Sequence, residues 1–309
     1  MSRPTATRMA STNLGSSAAR RPLEGKVAIA HLPLSSPDLT STTGIGAAIC
    51  DNLAAKGCSL LMNYTSPSST QKTADLATHL QDTHSVTAIP VQADMGSESG
   101  PAHLVSVAKN HFSHPKTGAF TLSIIINNAG VAQNRSISEI DSAEFARQYN
   151  VNVRGPLLLM QAAEPYLPHD RSGRVVNLSS VSSSLGFPRQ SIYGGTKAAL
   201  EAMTRTWSRE LSERATVNAV NPGPVATDMY GGNDAAFQEQ MSWWMRNTPL
   251  ARVREGIDRE EFVRDAEKNG GRPGYEGEIA GIVGMLVGEE SAWCTGSVIC
   301  ANGGFKMST

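Results

Sequence analysis

Tyr193 and Lys197 stand four residues apart in a stretch, residues 191–213, that reads as one long helix. At that spacing two side chains share a helix face. An ammonium beside a phenol stabilises the phenolate and draws a tyrosine down from about 10. A tyrosine tuned in that way is a general acid or base suited to proton transfer at a carbonyl oxygen. Far upstream, Gly44-Ile45-Gly46 opens another helix. Glycines there let a backbone approach a pyrophosphate, and the helix N-terminus favours its charge. Neither pattern is rare by itself, so the elements that position them decide the reading.

Short apolar runs at residues 26–30, 59–64, 86–91, 120–126, 174–178, 216–220 and 297–300 read as strands. Helical stretches at 47–56, 68–82, 100–112, 139–165, 191–213 and 276–288 alternate with them. The strands are continuously apolar, Ile124-Ile125-Ile126 most plainly, rather than alternating. That pattern predicts an α/β fold, a doubly wound parallel sheet of about seven strands with helices on both faces. Ligands of such sheets bind at the carboxyl ends of the strands. After the second strand stand Asn63 and Tyr64, and after the third Asp94. Asn127-Asn128-Ala129-Gly130 follow the fourth, Ser179-Ser180 the fifth, and Asn221-Pro222-Gly223-Pro224 the sixth. An acid that holds an NAD ribose is expected about 20 residues beyond the glycines. The first acid after the second strand is Asp75, inside the next helix, which points to NADP(H) instead.

Composition removes several other classes. The chain has 309 residues, 40% of them hydrophobic and 18% charged, which supplies a large core. No apolar run reaches the length of a membrane span. Lys+Arg is 27 against Asp+Glu 28, so no basic excess grips nucleic acid. Cys50, Cys58, Cys294 and Cys300 form no CxxC and no zinc spacing, and read as reduced thiols. No metal site is expected. Residues 1–22 carry Arg3, Arg8, Arg20 and Arg21 and no acid among small polar residues up to Leu23. They read as a disordered basic tail of a cytoplasmic protein, with a mitochondrial transit peptide as the alternative.

Taken together, Asn127-Asn128-Ala129-Gly130, Asn152 in Val151-Asn152-Val153-Arg154-Gly155, Ser180, Tyr193-Gly194-Gly195-Thr196-Lys197 and Pro222-Gly223 resemble the short-chain dehydrogenase/reductase family in order and spacing. The likeness runs over about residues 24–304 and is nearest in look to NADPH-dependent ketoreductases of fatty-acid and aromatic polyketide pathways. It implies hydride transfer between NADP(H) and a small-molecule carbonyl or secondary alcohol, with no nucleic acid or membrane partner. By the resemblance Tyr193 is the acid/base, Lys197 holds the nicotinamide ribose, and Ser180 orients the carbonyl. Asn152 holds a water that links Lys197 to solvent. Gly44, Ile45 and Gly46 cradle the diphosphate, Asn63 and Tyr64 flank the adenosine end, and Asp94 contacts the adenine. Asn128, Ala129 and Gly130 line the adenosine ribose. Pro222, Gly223, Val225 and Thr227 wrap the nicotinamide. A homodimer or homotetramer through the helices bearing Asn152 and Tyr193 is the implied assembly.

Two stretches depart from the family pattern. Its first turn, T-G-x-x-x-G-x-G, follows the first strand directly. Here residues 31–39 intervene, about eight of them extra, Thr40 holds the first glycine position, and Thr43 stands where many members carry a basic residue. A bulging loop, a gene-model artefact and a spoiled nucleotide site all account for it; the last gives the alternative of an impaired cofactor-binding or scaffold protein. The second departure is residues 228–278, expected to form a substrate lid within one domain over 23–309. Its Met229, Tyr230, Phe237, Met241, Trp243, Trp244 and Met245 suit a flat or aromatic substrate, with Trp243 and Trp244 as core or subunit-interface residues the alternative. Residues 264–278, with Gly270-Gly271-Arg272-Pro273-Gly274, read as an exposed loop.

Overall fold

The computed structural model of the chain describes residues 21–32 and 44–307. Most of the expected tail, most of the extra stretch 31–39, and Thr40 and Thr43 therefore lie outside the described residues. In chain order the elements begin with β1 (Val27–His31), α1 (Ile45–Ala55), β2 (Ser59–Tyr64), α2 (Thr70–His84), β3 (Ala88–Gln92), α3 (Gly100–Phe112) and β4 (Ile124–Asn127). Next come α4 (Ser142–Tyr149), α5 (Gly155–Ala163), β5 (Gly173–Leu178), α6 (Ser182–Leu185), α7 (Ser191–Glu210) and β6 (Ala215–Pro222). The chain closes with α8 (Asp228–Gly231), α9 (Ala235–Arg246), α10 (Glu260–Arg264), α11 (Ala266–Asn269), α12 (Glu276–Leu286) and β7 (Val298–Ala301).

All seven strands pair in parallel, in the order β3-β2-β1-β4-β5-β6-β7. The order reverses between β1 and β4, which opens a crevice at their carboxyl ends. Both faces are covered. Ile124 and Ile126 pack with α1 and α12 residues such as Leu53 and Val283, while Ile125 packs on the other face with Leu104, Leu159 and Trp207. The pleat sends consecutive isoleucines to opposite faces. That is why β4 reads as an unbroken apolar run.

The single helix expected over 139–165 is two helices joined by a wide, π-type turn, Asn150–Arg154. Pro156 has no N–H to offer the carbonyl of Asn152 four residues back. The Gly155 N–H instead donates to Asn150 O, five residues back. The wider turn carries Asn152, which is buried.

Residues 264–278 correct the expected exposed loop. They contain α11 and the start of α12, and Gly271, Arg272 and Pro273 are buried. Arg272 donates to both carboxylate oxygens of Glu278 at 2.8 and 2.9 Å. Its Nε lies 3.2 Å from Oδ1 of Asp258, whose side chain is 1% exposed. The Tyr275 hydroxyl and the Arg254 backbone N–H also donate to Asp258, at 3.2 and 2.7 Å. Local composition says loop; long-range charge pairing buries it.

His31 closes β1 and is fully buried, with Nδ1 2.9 Å from Asn63 Oδ1. Burial outweighs that hydrogen bond and pulls the imidazole down to about 4. The folded chain thus takes up its proton later than the unfolded chain does, so stability is full above about pH 6.5 and drains as pH falls towards 4. That single group accounts for roughly 3 kcal/mol over the window. Denaturant melts at pH 7 and pH 4.5 measure it, and His31→Gln is expected to flatten the difference.

Candidate active site

A cavity of about 710 Å³ lies at the carboxyl ends of the strands. Gly44 and Ile45 at the start of α1, Asn128 and Gly130 after β4, Ser180 after β5 and Tyr193 and Lys197 on α7 line it. Pro222, Gly223, Val225 and Thr227 line it beyond β6. The structure brings together these eleven of the expected residues. Asn152, Gly46, Ala129 and Asn63 stand behind the wall, and Tyr64 and Asp94 stay off it at the ends of β2 and β3.

The α1 end is shaped for close approach. A Cβ on Gly46 would come within 2.5 Å of His31 O and 2.7 Å of Asn128 Nδ2, so only glycine lets the helix seat there. Asn128 Nδ2 donates to His31 O at 2.9 Å and fixes that contact. Gly44 has open space where its side chain would be. Among the described residues no side chain caps α1, and its first turn holds no acid. Its first N–H groups are therefore left for an anion at the mouth of the cavity. Asn63 spends its amide inside the protein, donating to Ala93 O at 3.0 Å and to Val91 O at 3.3 Å. Asp94 accepts from Gly96 N at 2.8 Å and shapes the turn after β3.

The groups at the reactive end are packed closely together. Lys197 is buried and donates from Nζ to Leu178 O at 2.6 Å. Burial pulls it down to about 8, and the charge of Glu201 pulls the other way. The ammonium lies 5.7 Å from the centre of the Tyr193 ring. Tyr193 is pushed up to about 12 by burial, against a hydrogen bond with Ser180 that pulls it down. This corrects the expectation of a depressed tyrosine. The lysine aims at a backbone carbonyl, so burial wins at the phenol. A phenol at about 12 stays protonated at neutral pH, the state a proton donor needs. Asn152 accepts from Val131 N at 2.9 Å and donates to Val131 O at 2.8 Å and Thr196 Oγ1 at 3.1 Å. It braces α7 against the loop after β4.

The outer wall was not legible in the sequence. Ser180 Oγ donates to Ser182 Oγ at 3.2 Å, and Ser182 Oγ to Gln190 Oε1 at 2.6 Å. Gln190 Nε2 donates to Asn134 Oδ1 at 3.1 Å, and Asn134 Nδ2 to Asn233 Oδ1 at 2.9 Å. A row of hydroxyls and amides thus runs from Ser180 to the lid. Arg189 pairs with Asp234 at 2.7 Å, where α9 begins. Gln190 sits three residues before Tyr193, and that short spacing was the signal available. Of the lid residues, Met229, Tyr230, Phe237 and Met241 face the cavity. Met245 is buried with Phe237 and Phe305, Trp244 stacks on Phe305 at 5.6 Å, and Trp243 is 63% exposed. Thr227 caps α8 through its Oγ1 and also lines the cavity.

Sheet order, the glycine-bordered crevice and the Ser180, Tyr193 and Lys197 cluster define a dinucleotide-type oxidoreductase fold. The chain belongs to the short-chain dehydrogenase/reductase family. Residues 39–263 match the family described as enoyl-(acyl carrier protein) reductase. An L-xylulose reductase of Aspergillus niger is 51% identical over 93% of this chain and 99% of its own length. An L-xylo-3-hexulose reductase of Hypocrea jecorina is 45% identical over 93% and 99%. A solved blue fluorescent protein from a metagenomic library, in complex with NADPH, superposes with a TM-score of 0.74 at 28% identity, covering 93% of this chain and all of that one. Among the described residues no helix is long and apolar enough to cross a membrane, and no group of three or more His, Cys, Asp or Glu could hold a metal.

Proposed function

We propose that the chain is an NADP(H)-dependent reductase of polyhydroxylated ketones, and of the corresponding secondary alcohols in reverse, with Tyr193 as the general acid. The observation that carries this reading is the convergence of Ser180, Tyr193 and Lys197 on a cavity with a polar outer wall. Amide and hydroxyl groups in a row suit a substrate that presents several hydroxyls. The ketose reductases among its relatives agree with that choice.

The chain's fit to the cofactor rests on the glycine approach at Gly46 and the uncapped start of α1. Gly44 and Ile45 would hold the diphosphate, Asn128 and Gly130 the sugar beside them, and Pro222, Gly223 and Thr227 the nicotinamide. Bound NADPH supplies the hydride for the carbonyl carbon. Ser180 donates a hydrogen bond to the carbonyl oxygen and orients it. Tyr193 gives its phenolic proton to that oxygen, and a proton from solvent restores the phenol. Lys197, mostly charged at neutral pH, stabilises the phenolate that forms. The net change is ketone plus NADPH plus a proton to secondary alcohol plus NADP⁺.

Titrating NADPH against the purified chain by fluorescence, with NADH alongside, tests the cofactor half. Saturable binding with NADPH the tighter ligand supports the reading. No binding at millimolar cofactor overturns it and leaves the impaired-site alternative raised by residues 31–39. The wall makes a separate prediction. Asn134→Leu is expected to cost roughly 3- to 10-fold in kcat/KM on a pentulose, the worth of one neutral hydrogen bond. An apolar ketone of similar length is expected to lose nothing, and steady-state rates on the two substrates check it.

A further inference from the structure

Glu201 lies one helical turn beyond Lys197 on α7 and outside the cavity lining. A single carboxylate oxygen, Oε1, accepts from Ser179 Oγ at 2.6 Å, Ser183 Oγ at 2.7 Å and Asn221 Nδ2 at 3.1 Å. Those donors come from two different segments, and the acceptor sits on a third. Ser179 immediately precedes Ser180, and Ser183 is in α6. Asn221 immediately precedes Pro222 at the end of β6, is fully buried, and donates also to Ser180 O at 3.0 Å. One oxygen therefore joins the serine turn, the nicotinamide turn and the helix of the proton donor.

We propose that Glu201 is a positioning residue for the reaction: it locks the Ser180 turn and the Pro222-Gly223 turn to α7 and is the counter-charge of the buried Lys197 ammonium. The proposal rests on the reading of Tyr193 and Lys197 as proton donor and partner. An ordinary hydrogen-bond hub explains the three contacts but requires no charge. Three donors on one oxygen favour a carboxylate, because charge-assisted bonds are about twice as strong as neutral ones. Among the described residues Glu201 is the anion whose charge acts on Lys197. On α7 the titratable groups facing it are Tyr193 and Glu201. β5 presents the Leu178 carbonyl, and the loop after β4 presents Gly130. The turn Asn150–Arg154 presents Asn152, while its Arg154 donates away from the site, to Gly96 O.

The substitution that separates charge from contact is Glu201→Gln, since its amide oxygen still accepts. Lys197 is followed by NMR of the cofactor-free chain with labelled lysine, assigned through Lys197→Arg. In the parent its midpoint is expected near 8. In Glu201→Gln the midpoint is expected to fall by about one pH unit. The alkaline limb of kcat/KM for reduction is expected to move the same way. Glu201→Asp, which keeps the charge and loses the reach, is expected to hold the lysine midpoint near the parent's while kcat falls. An unmoved lysine midpoint in a folded Glu201→Gln chain overturns the proposal. A moved midpoint in a series whose parent shows no turnover overturns the reaction reading instead, and leaves the Glu201–Lys197 coupling standing.

Discussion

Tyr193→Phe is expected to lower kcat/KM for ketone reduction by roughly 10²- to 10⁴-fold, the usual worth of a positioned general acid. The substitution removes one oxygen and keeps the ring, so the cavity wall is otherwise unchanged. Cofactor binding is expected to persist, because Gly44, Gly46, Asn128 and Lys197 are untouched. The loss should fall on kcat, since the proton moves only in the transition state. In the parent, no alkaline limb from Tyr193 is expected below pH 10: burial pushes the phenol up to about 12, so it is protonated throughout the working range. An alkaline limb near pH 8 is expected instead from Lys197, whose charge is lost as pH rises through about 8. Steady-state kinetics with NADPH fluorescence titration on the same preparation separates the two effects. A variant with near-normal kcat would refute the role given to Tyr193.

The second large effect concerns stability. Arg272→Met is expected to destabilise the fold by about 1–3 kcal/mol, because it removes the two bonds to Glu278 and one of the two guanidinium groups beside the buried Asp258. Asp258 is buried, and its surroundings are the Arg272 and Arg254 guanidinium groups and the Tyr275 hydroxyl. Arg254 holds its carboxyl below the usual carboxylate range, with burial opposing and the Arg254 backbone N–H helping. That contribution is present above the ordinary carboxylate range and drains below it, a lower window than the one set by His31. Arg272→Lys keeps the charge but cannot bond Glu278 through two nitrogens, so an intermediate loss is expected. Urea melts at pH 7 measure both variants. Equal stability of Arg272→Met and the parent would show the cluster to be a neutral replacement for apolar packing.

The parallel sheet was legible because its central strands are buried on both faces, so that β4 above all reads as an apolar run. Asn128 and Ser180 were legible because each follows a strand end, Tyr193 and Lys197 because a four-residue spacing puts them on one helix face, and Asn152 through the family resemblance. The break at Asn150–Arg154 was not, since its cause is one missing N–H at Pro156 inside an otherwise helical pattern. The stretch 264–278 was misread because glycine, proline and mixed charge look like a loop locally. Its arginine finds partners at Asp258, six residues outside that window. The direction of the Tyr193 shift was also out of reach. Spacing places an ammonium near the phenol, but only the fold shows Nζ turned to Leu178 O and burial outweighing the Ser180 hydrogen bond at the phenol. Glu201 carried no signal beyond its place on the Tyr193–Lys197 face, where an acid usually means a solvated helix surface.

The central claim is that the cavity reduces a hydroxylated ketone with NADPH through Tyr193. The most direct measurement is the rate of NADPH absorbance loss on mixing the full chain with a panel of pentuloses, hexuloses and apolar ketones. Turnover on the ketoses, faster than on apolar ketones and lost in Tyr193→Phe, is the predicted result. NADPH binding with no turnover on any ketone, or turnover that survives Tyr193→Phe, would contradict it.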